Sequence, residues 1–157
     1  MEKVNEILNN ERYRKYLVLL EELEEDRVFC KHGIEHFLDV ARIAYIRVLE
    51  GDLPYSKGMI YAIALLHDIG RVLEYKENIP HHEGSLILSK EILDETSFSK
   101  EDIGEILKAI SEHRNIGTDE LSKLIYESDK LSRNCFSCKS EKDCYWEMDK
   151  KNFTIKY

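Results

Sequence analysis

Residues 57–69, KGMIYAIALLHDI, are apolar on almost every side, and this run constrains the chain more than any other feature. A helix with one apolar stripe lies on a surface, whereas a helix apolar all round must be covered on all sides. The run therefore predicts a central buried helix with other elements wrapped around it. It also carries His67 and leads into Asp68. A buried ionised carboxylate is costly unless it is paired or binds a metal.

The rest of the chain reads as the wrapping. Residues 3–25 mix apolar and charged positions, with Leu17, Leu19, Leu20 and Leu23 apolar, and read as one helix whose EELEED end is solvated. From 36 to 50, Phe37, Val40, Ala44 and Val48 recur at helical spacing. GDLPYSKG (51–58) is a turn in which Ser56 caps the central helix. EYKENIP reads as a loop before a fourth helix at about 82–95. Ser99 and Asp102 form a capping-box pattern ahead of Ile103, Ile106, Leu107 and Ile110, and a sixth helix is expected from Thr118 to about Arg133. With no repeat and no strand alternation, the expectation is an all-α bundle of about six helices. It occupies residues 1–133 as one domain, with 134–157, where periodicity gives way to Cys, Lys and aromatics, as a C-terminal extension packed on it.

Length and charge narrow the function classes. The chain has 157 residues with 31 Asp plus Glu against 23 Lys plus Arg, a net charge of −8. That balance argues against non-specific nucleic-acid binding, which needs a basic footprint. The charge is uneven: residues 1–129 carry −11 and residues 130–157 carry +3. The longest apolar stretch, Met59 to Leu66, is too short to span a bilayer, and the polar N-terminus has no apolar signal-peptide region. A cytoplasmic protein with no membrane partner is expected. Nothing indicates its oligomeric state.

The chemistry-bearing residues are HGIEH (32–36), LLHDIGR (65–71), HH (81–82), EHR (112–114) and ESDKLSR (127–133). Imidazole and carboxylate are the donor set for Zn²⁺, Mn²⁺, Fe or Co²⁺ at a hydrolytic centre. His67 shares a helix face with Ile60 and Ile63, His113 with Ile106 and Ile110, Asp129 with Leu121 and Ile125, and His36 with Val40. One such histidine is most simply a hydrogen-bonded core residue. Four helices that each offer a His or Asp inward point instead to a shared ion.

HFLDVARIA (36–44), LLHDIGR (65–71) and SDKL (128–131) resemble the HD superfamily of metal-dependent phosphohydrolases, with the likeness covering about residues 32–133. The resemblance implies an all-α fold and one metal held by His36, His67, Asp68 and Asp129. His36 is preferred over His32 because an apolar residue, Val40, follows it by four. His32 then supports a ligand or faces substrate. Relatives with two metals carry a further His on each of the next two helices, which the resemblance places at His82 and His113; Pro80 puts His81 at a helix edge, where exposure is expected. The ion is Mn, Fe, Co, Mg or Zn, one or two per chain. A metal-activated water would attack a phosphate, with Asp68 as ligand or water-orienting group. Arg71 and Lys130 are the expected catalytic phosphate contacts, and Arg114 and Arg133 are further substrate contacts. A small nucleotide-like phosphoester or phosphoanhydride is the expected substrate.

Cys135, Cys138 and Cys144 fall within CFSCKSEKDC, and Cys30 is the only other cysteine. A reducing compartment disfavours disulfides. Four cysteines can hold a structural zinc or an iron–sulfur cluster that pins residues 134–157 to the body. They can equally remain unligated thiols. A second function class follows: a regulatory module that binds metal and nucleotide without turnover while the cysteines sense redox state or metal.

Overall fold

The computed structural model describes residues 1–113 and 119–157, and all of its regular structure is helical. Eight α-helices appear among the described residues: α1 (Glu2–Asn9), α2 (Glu11–Leu23), α3 (Ile34–Glu50), α4 (Lys57–Leu66), α5 (Arg71–Glu77), α6 (His81–Leu93), α7 (Lys100–Glu112) and α8 (Glu120–Leu131). Residues 134–157 contain only three single 3₁₀ turns.

α4 is the axis. Ile60, Ala62, Ile63, Ala64, Leu65 and Leu66 are all fully buried. Each large aliphatic side chain so covered contributes about 1.5–3 kcal/mol of transfer free energy. α3, α7 and α1 pack around α4, α8 lies against α3 and α7, and α5 and α6 form a layer that reaches the rest through α2 and α7. Ser56 caps α4 through its hydroxyl, which accepts from Met59 N–H at 3.2 Å, and Ser99 with Asp102 closes the expected capping box on α7.

Four expectations are corrected. The segment 3–25 is two helices, because Asn10 turns extended and its side chain accepts the N–H groups of Arg12 and Tyr13, so capping replaces continuation. The central helix stops at Leu66, three residues early, and 67–70 form tight turns. Most of EYKENIP is helix rather than loop: α5 runs to Glu77 and ends on Asn78, whose φ of 58° is the left-handed conformation asparagine tolerates at a helix terminus. The last helix is shorter at its C-terminal end than expected, ending at Leu131; its expected start, Thr118, lies outside the described residues.

The turn after α4 meets α6 backbone to backbone. A Cβ on Gly70 would stand 1.9 Å from Ser85 N, and one on Gly84 would stand 2.7 Å from Gly70 O. Gly70 N–H donates to Ser85 Oγ at 3.0 Å. Two glycines thus let α6 press against the His67–Asp68 turn, which fixes where the first residues of α6 point.

Candidate metal centre

Five of the six histidines form a chain of touching rings in the interior. His32 to His36, His36 to His67, His67 to His113 and His113 to His81 have centroid separations of 5.6, 5.4, 5.4 and 5.5 Å. They come from the loop before α3, from α3, from the end of α4, from the end of α7 and from the start of α6. Asp68 lies at their centre, 2% exposed. Its carboxylate approaches the Nε2 atoms of His67, His113, His32 and His81 at 3.5, 3.6, 3.7 and 3.7 Å. Asp129 of α8 stands 3.3 Å from His36 Nε2.

Two sets of donor atoms lie within 4.8 Å of one another: His36, His67, Asp68 and Asp129, and Asp68, His81 and His113. The first is the set expected from the sequence. The second contains His81 where His82 was expected. His81 is 9% exposed and points at Asp68, whereas the side chain of His82 is 29% exposed and its nearest carboxylate is Glu83, at 4.0 Å. Either register places small or apolar residues below it: His81 shares a face with Ser85, Leu88 and Ile92, and His82 with Ser85, Ser89 and Leu93. The Gly70–Gly84 approach decides between them.

Hydrogen bonds fix the ring orientations. His67 Nδ1 lies 2.8 Å from Ala64 O and His113 Nδ1 lies 2.5 Å from Ile110 O. A carbonyl only accepts, so both Nδ1 atoms carry the proton and both Nε2 atoms present lone pairs inward. Those two Nε2 atoms and Asp68 Oδ1 are buried without a hydrogen-bond partner. Ser132 donates its proton to Asp129 O at 2.7 Å, so its oxygen accepts from His36 Nδ1 at 3.1 Å. His81 Nδ1–H reaches Glu74 Oε1 at 3.2 Å. Anchoring of the distal ring nitrogen in this way is what metal-ligating histidines need.

The electrostatics keep the donors in metal-ready form. Burial, above all, pushes the pKa of His67 down to about 3 and that of His32 down to about 4, so both rings are neutral near pH 7. Burial also lowers His36. For Asp68 burial opposes charge, but Arg71, then His67, hold it well below the carboxylate range; for Asp129 burial again opposes charge, and the adjacent His36 ring with the charges of Arg133 and Lys130 hold it down. Neutral imidazoles and ionised carboxylates are the states that bind metal. The unpartnered lone pairs, the chemistry of the donors and their protonation therefore fit a divalent ion.

The cations expected to meet substrate take different places. Arg71 Nε is 3.3 Å from Asp68 Oδ1, and its Nη1 is 3.4 Å from Glu74. Lys130 Nζ is 2.6 Å from Asp129 Oδ2 and lies over the rings of Tyr126 and Trp146. Arg133 is turned inward: its Nη2 donates to His36 Nε2 at 3.0 Å and to Asp129 Oδ1 at 3.4 Å, and its Nη1 donates to Lys31 O. It occupies the ligand atom of His36 and would have to swing aside for an ion there. Arg114 lies outside the described residues. His32 donates from Nδ1 to Glu24 Oε1 at 2.7 Å and supports the centre from the side.

A cavity of about 690 Å³ opens on Asp68, His81, His113 and Asp129. Arg27, Tyr126, Tyr145 and Trp146 also line it, and the sequence reading did not single them out. The available signal was the pair of aromatics directly after Cys144, in the one segment that departs from the acidic character of the rest.

The family model of the HD domain matches residues 33–134. The chain belongs to the HD-domain family. HD domains bind divalent metals and are mostly metal-dependent hydrolases. An uncharacterized protein of Clostridium beijerinckii is 46% identical to this HD-domain chain over 157 residues, which is all of both chains. No solved structure matches it. Among the described residues no helix is long and apolar enough to cross a membrane.

Proposed function

We propose that this HD domain is a metal-dependent phosphohydrolase that cleaves a phosphoester or phosphoanhydride of a small nucleotide-like molecule. The observation that carries the reading is the pair of donor sets that share Asp68, with the Nε2 lone pairs of His67 and His113 buried and without a hydrogen-bond partner. His36, His67, Asp68 and Asp129 would hold one ion; Asp68, His81 and His113 would hold a second. A divalent ion in such a site supplies a lowered pKa to water and polarises a phosphoryl oxygen.

The protein's own part is positioning and charge. Asp68 and Asp129 stay ionised, and Asp68 lies where it can orient a water on the cavity side. Arg71 reaches the cavity beside Asp68 and offers its guanidinium to non-bridging phosphate oxygens, and Lys130 does so from the opposite wall. Tyr126 and Trp146 line the same cavity and supply flat surfaces on which a base can stack. Lys130, Arg133 and Lys150 line this cavity together with Arg27 and Arg71 while the chain as a whole carries −8, so an anion is attracted locally.

The test is anaerobic: the purified chain is loaded in turn with Mn²⁺, Co²⁺, Fe²⁺, Mg²⁺ and Zn²⁺. Each form is screened against nucleoside monophosphates, dinucleoside polyphosphates and cyclic nucleotides for released phosphate or cleaved nucleotide. Turnover that depends on metal and is lost in His67→Ala supports the reading. Nucleotide that protects the chain from thermal unfolding but is recovered intact with every metal contradicts it.

A further inference from the structure

Residues 134–157 hold a defined course without a core of their own. None of them is buried, and Phe136, Tyr145, Met148, Phe153, Ile155 and Tyr157 are exposed. Fastening to the body is sparse: Asn152 donates to the carbonyls of Lys130 and Arg133, Ser140 Oγ donates to Val28 O, Tyr145 meets Phe29 edge-on at 6.1 Å, and Trp146 lies under Lys130. A segment of this length that cannot bury apolar side chains needs a covalent or metal staple to be ordered.

All four cysteines meet at one place. Cys30 from the α2–α3 connection and Cys135, Cys138 and Cys144 from the tail line the same cavity of about 730 Å³ between tail and body. They are free thiols. Cys135 opens the first 3₁₀ turn and Cys138 closes it, Cys144 closes the second, and all three line the cavity together with Cys30. Arg133 and Lys151 line the cavity as well and provide the positive charge that a set of thiolates requires. Burial, and then the charge of each of the other three cysteines, raises the Cys30 thiol, with Arg133 opposing, so the four sit in one another's field.

We infer that Cys30, Cys135, Cys138 and Cys144 together ligate one iron–sulfur cluster, which staples the tail to the body and sets the wall of the HD cavity. Spacing favours this over a single zinc ion. Four sulfurs on one zinc at about 2.3 Å each must lie within about 4 Å of one another. Among the described residues no three of these sulfurs come within 4.8 Å of one another. A cubane cluster binds each thiolate to a different iron and holds the four farther apart. Tyr145 and Trp146 follow Cys144 directly and line the HD cavity, so the cluster fixes them there. This inference stands on the cysteines alone and does not depend on the phosphohydrolase reading.

The test uses the full chain produced and handled anaerobically, or reconstituted with ferric iron, a thiol reductant and sulfide. Iron, zinc and acid-labile sulfide are counted per chain, and the visible sulfur-to-iron charge-transfer absorption is recorded. Iron at the HD centre carries no sulfide, so sulfide and the absorption band report the cysteine site alone. The expected result is about one cluster per chain, retained in His67→Ala with Asp68→Ala and lost in Cys138→Ser and in Cys30→Ser. Cys138 is exposed, so its replacement leaves packing intact, and circular dichroism verifies the fold of each variant. Zinc bound one per chain in a Cys138-dependent way, with no sulfide, overturns the cluster. So does a chain whose four thiols all react freely with a thiol reagent and which holds neither sulfide nor zinc after reconstitution.

Discussion

At the scale of residues, Asp68 is the group on which both donor sets depend, and His81 is the group that separates the structure from the sequence expectation. Replacing His81 with Ala should lower metal occupancy and metal-dependent turnover by at least 10–100-fold, roughly the loss seen when even the supports of metal ligands are removed. His82→Ala should change either by less than about twofold, within the scatter of surface substitutions. Equal losses in the two variants would remove His81 from the site. Trp146→Ala should raise KM for a nucleotide roughly tenfold while leaving kcat nearly unchanged, the size expected for one lost stacking surface. Steady-state kinetics on the substrate found by the screen measures the split.

Glu24 makes a pH-dependent contribution at the same scale. It is buried and accepts from the ring and backbone N–H of His32 and from Tyr75 OH. Burial opposes its charge, but those hydrogen bonds and the nearby His32 hold its pKa down at about 2 against an ordinary 4.5. A depressed carboxylate stabilises the fold fully above about pH 4.5, and the contribution fades as pH falls toward 2. Glu24→Gln should therefore cost on the order of 2 kcal/mol at pH 7, and the gap to the wild type should narrow below pH 4.5. Urea unfolding of both chains across that range measures it; a gap constant with pH would contradict the assignment.

At the scale of elements, the turn after α4 and the start of α6 are one unit. Gly70→Ala would place a Cβ 1.9 Å from a backbone nitrogen, which no rotamer can relieve. It should destabilise the chain by about 3 kcal/mol and displace His81, so thermal unfolding and metal binding at the Asp68–His81–His113 set should fall together. Asp119 caps α8 by accepting from Ser122 N–H at 3.0 Å, and Asp119→Ala should cost about 1 kcal/mol without changing the metal site. Helix identity was legible where period was strong: the apolar α4, the stripe of α7 and the inward face of α3 carry their positions openly. The break at Asn10 and the helix α5 were not. The first depends on the Asn10 side chain taking over backbone bonds and the second ends on Asn78 in the left-handed conformation, neither of which periodicity reports. The choice of His81 over His82 was hidden for the same reason, since both registers have small and apolar residues beneath them.

At the scale of the whole molecule, an acidic chain encloses an interior row of imidazoles, and the tail closes over its mouth. His36, His67, His113 and Asp129 could be named from sequence because each continues the apolar face of a helical segment, whereas Asp68 was legible only through the His-Asp doublet of the HD resemblance. The inward turn of Arg133 and the aromatic wall could not, because they follow from how the tail crosses α8. The central claim is that Asp68 joins two donor sets into one hydrolytic centre. The most direct measurement is metal content and nucleotide cleavage on wild type and Asp68→Ala, side by side, with circular dichroism to verify folding. The account predicts that the variant stays helical, loses the metal bound at the HD centre and loses cleavage by at least about 100-fold. A folded Asp68→Ala chain that keeps wild-type metal content at that centre and wild-type cleavage would contradict it.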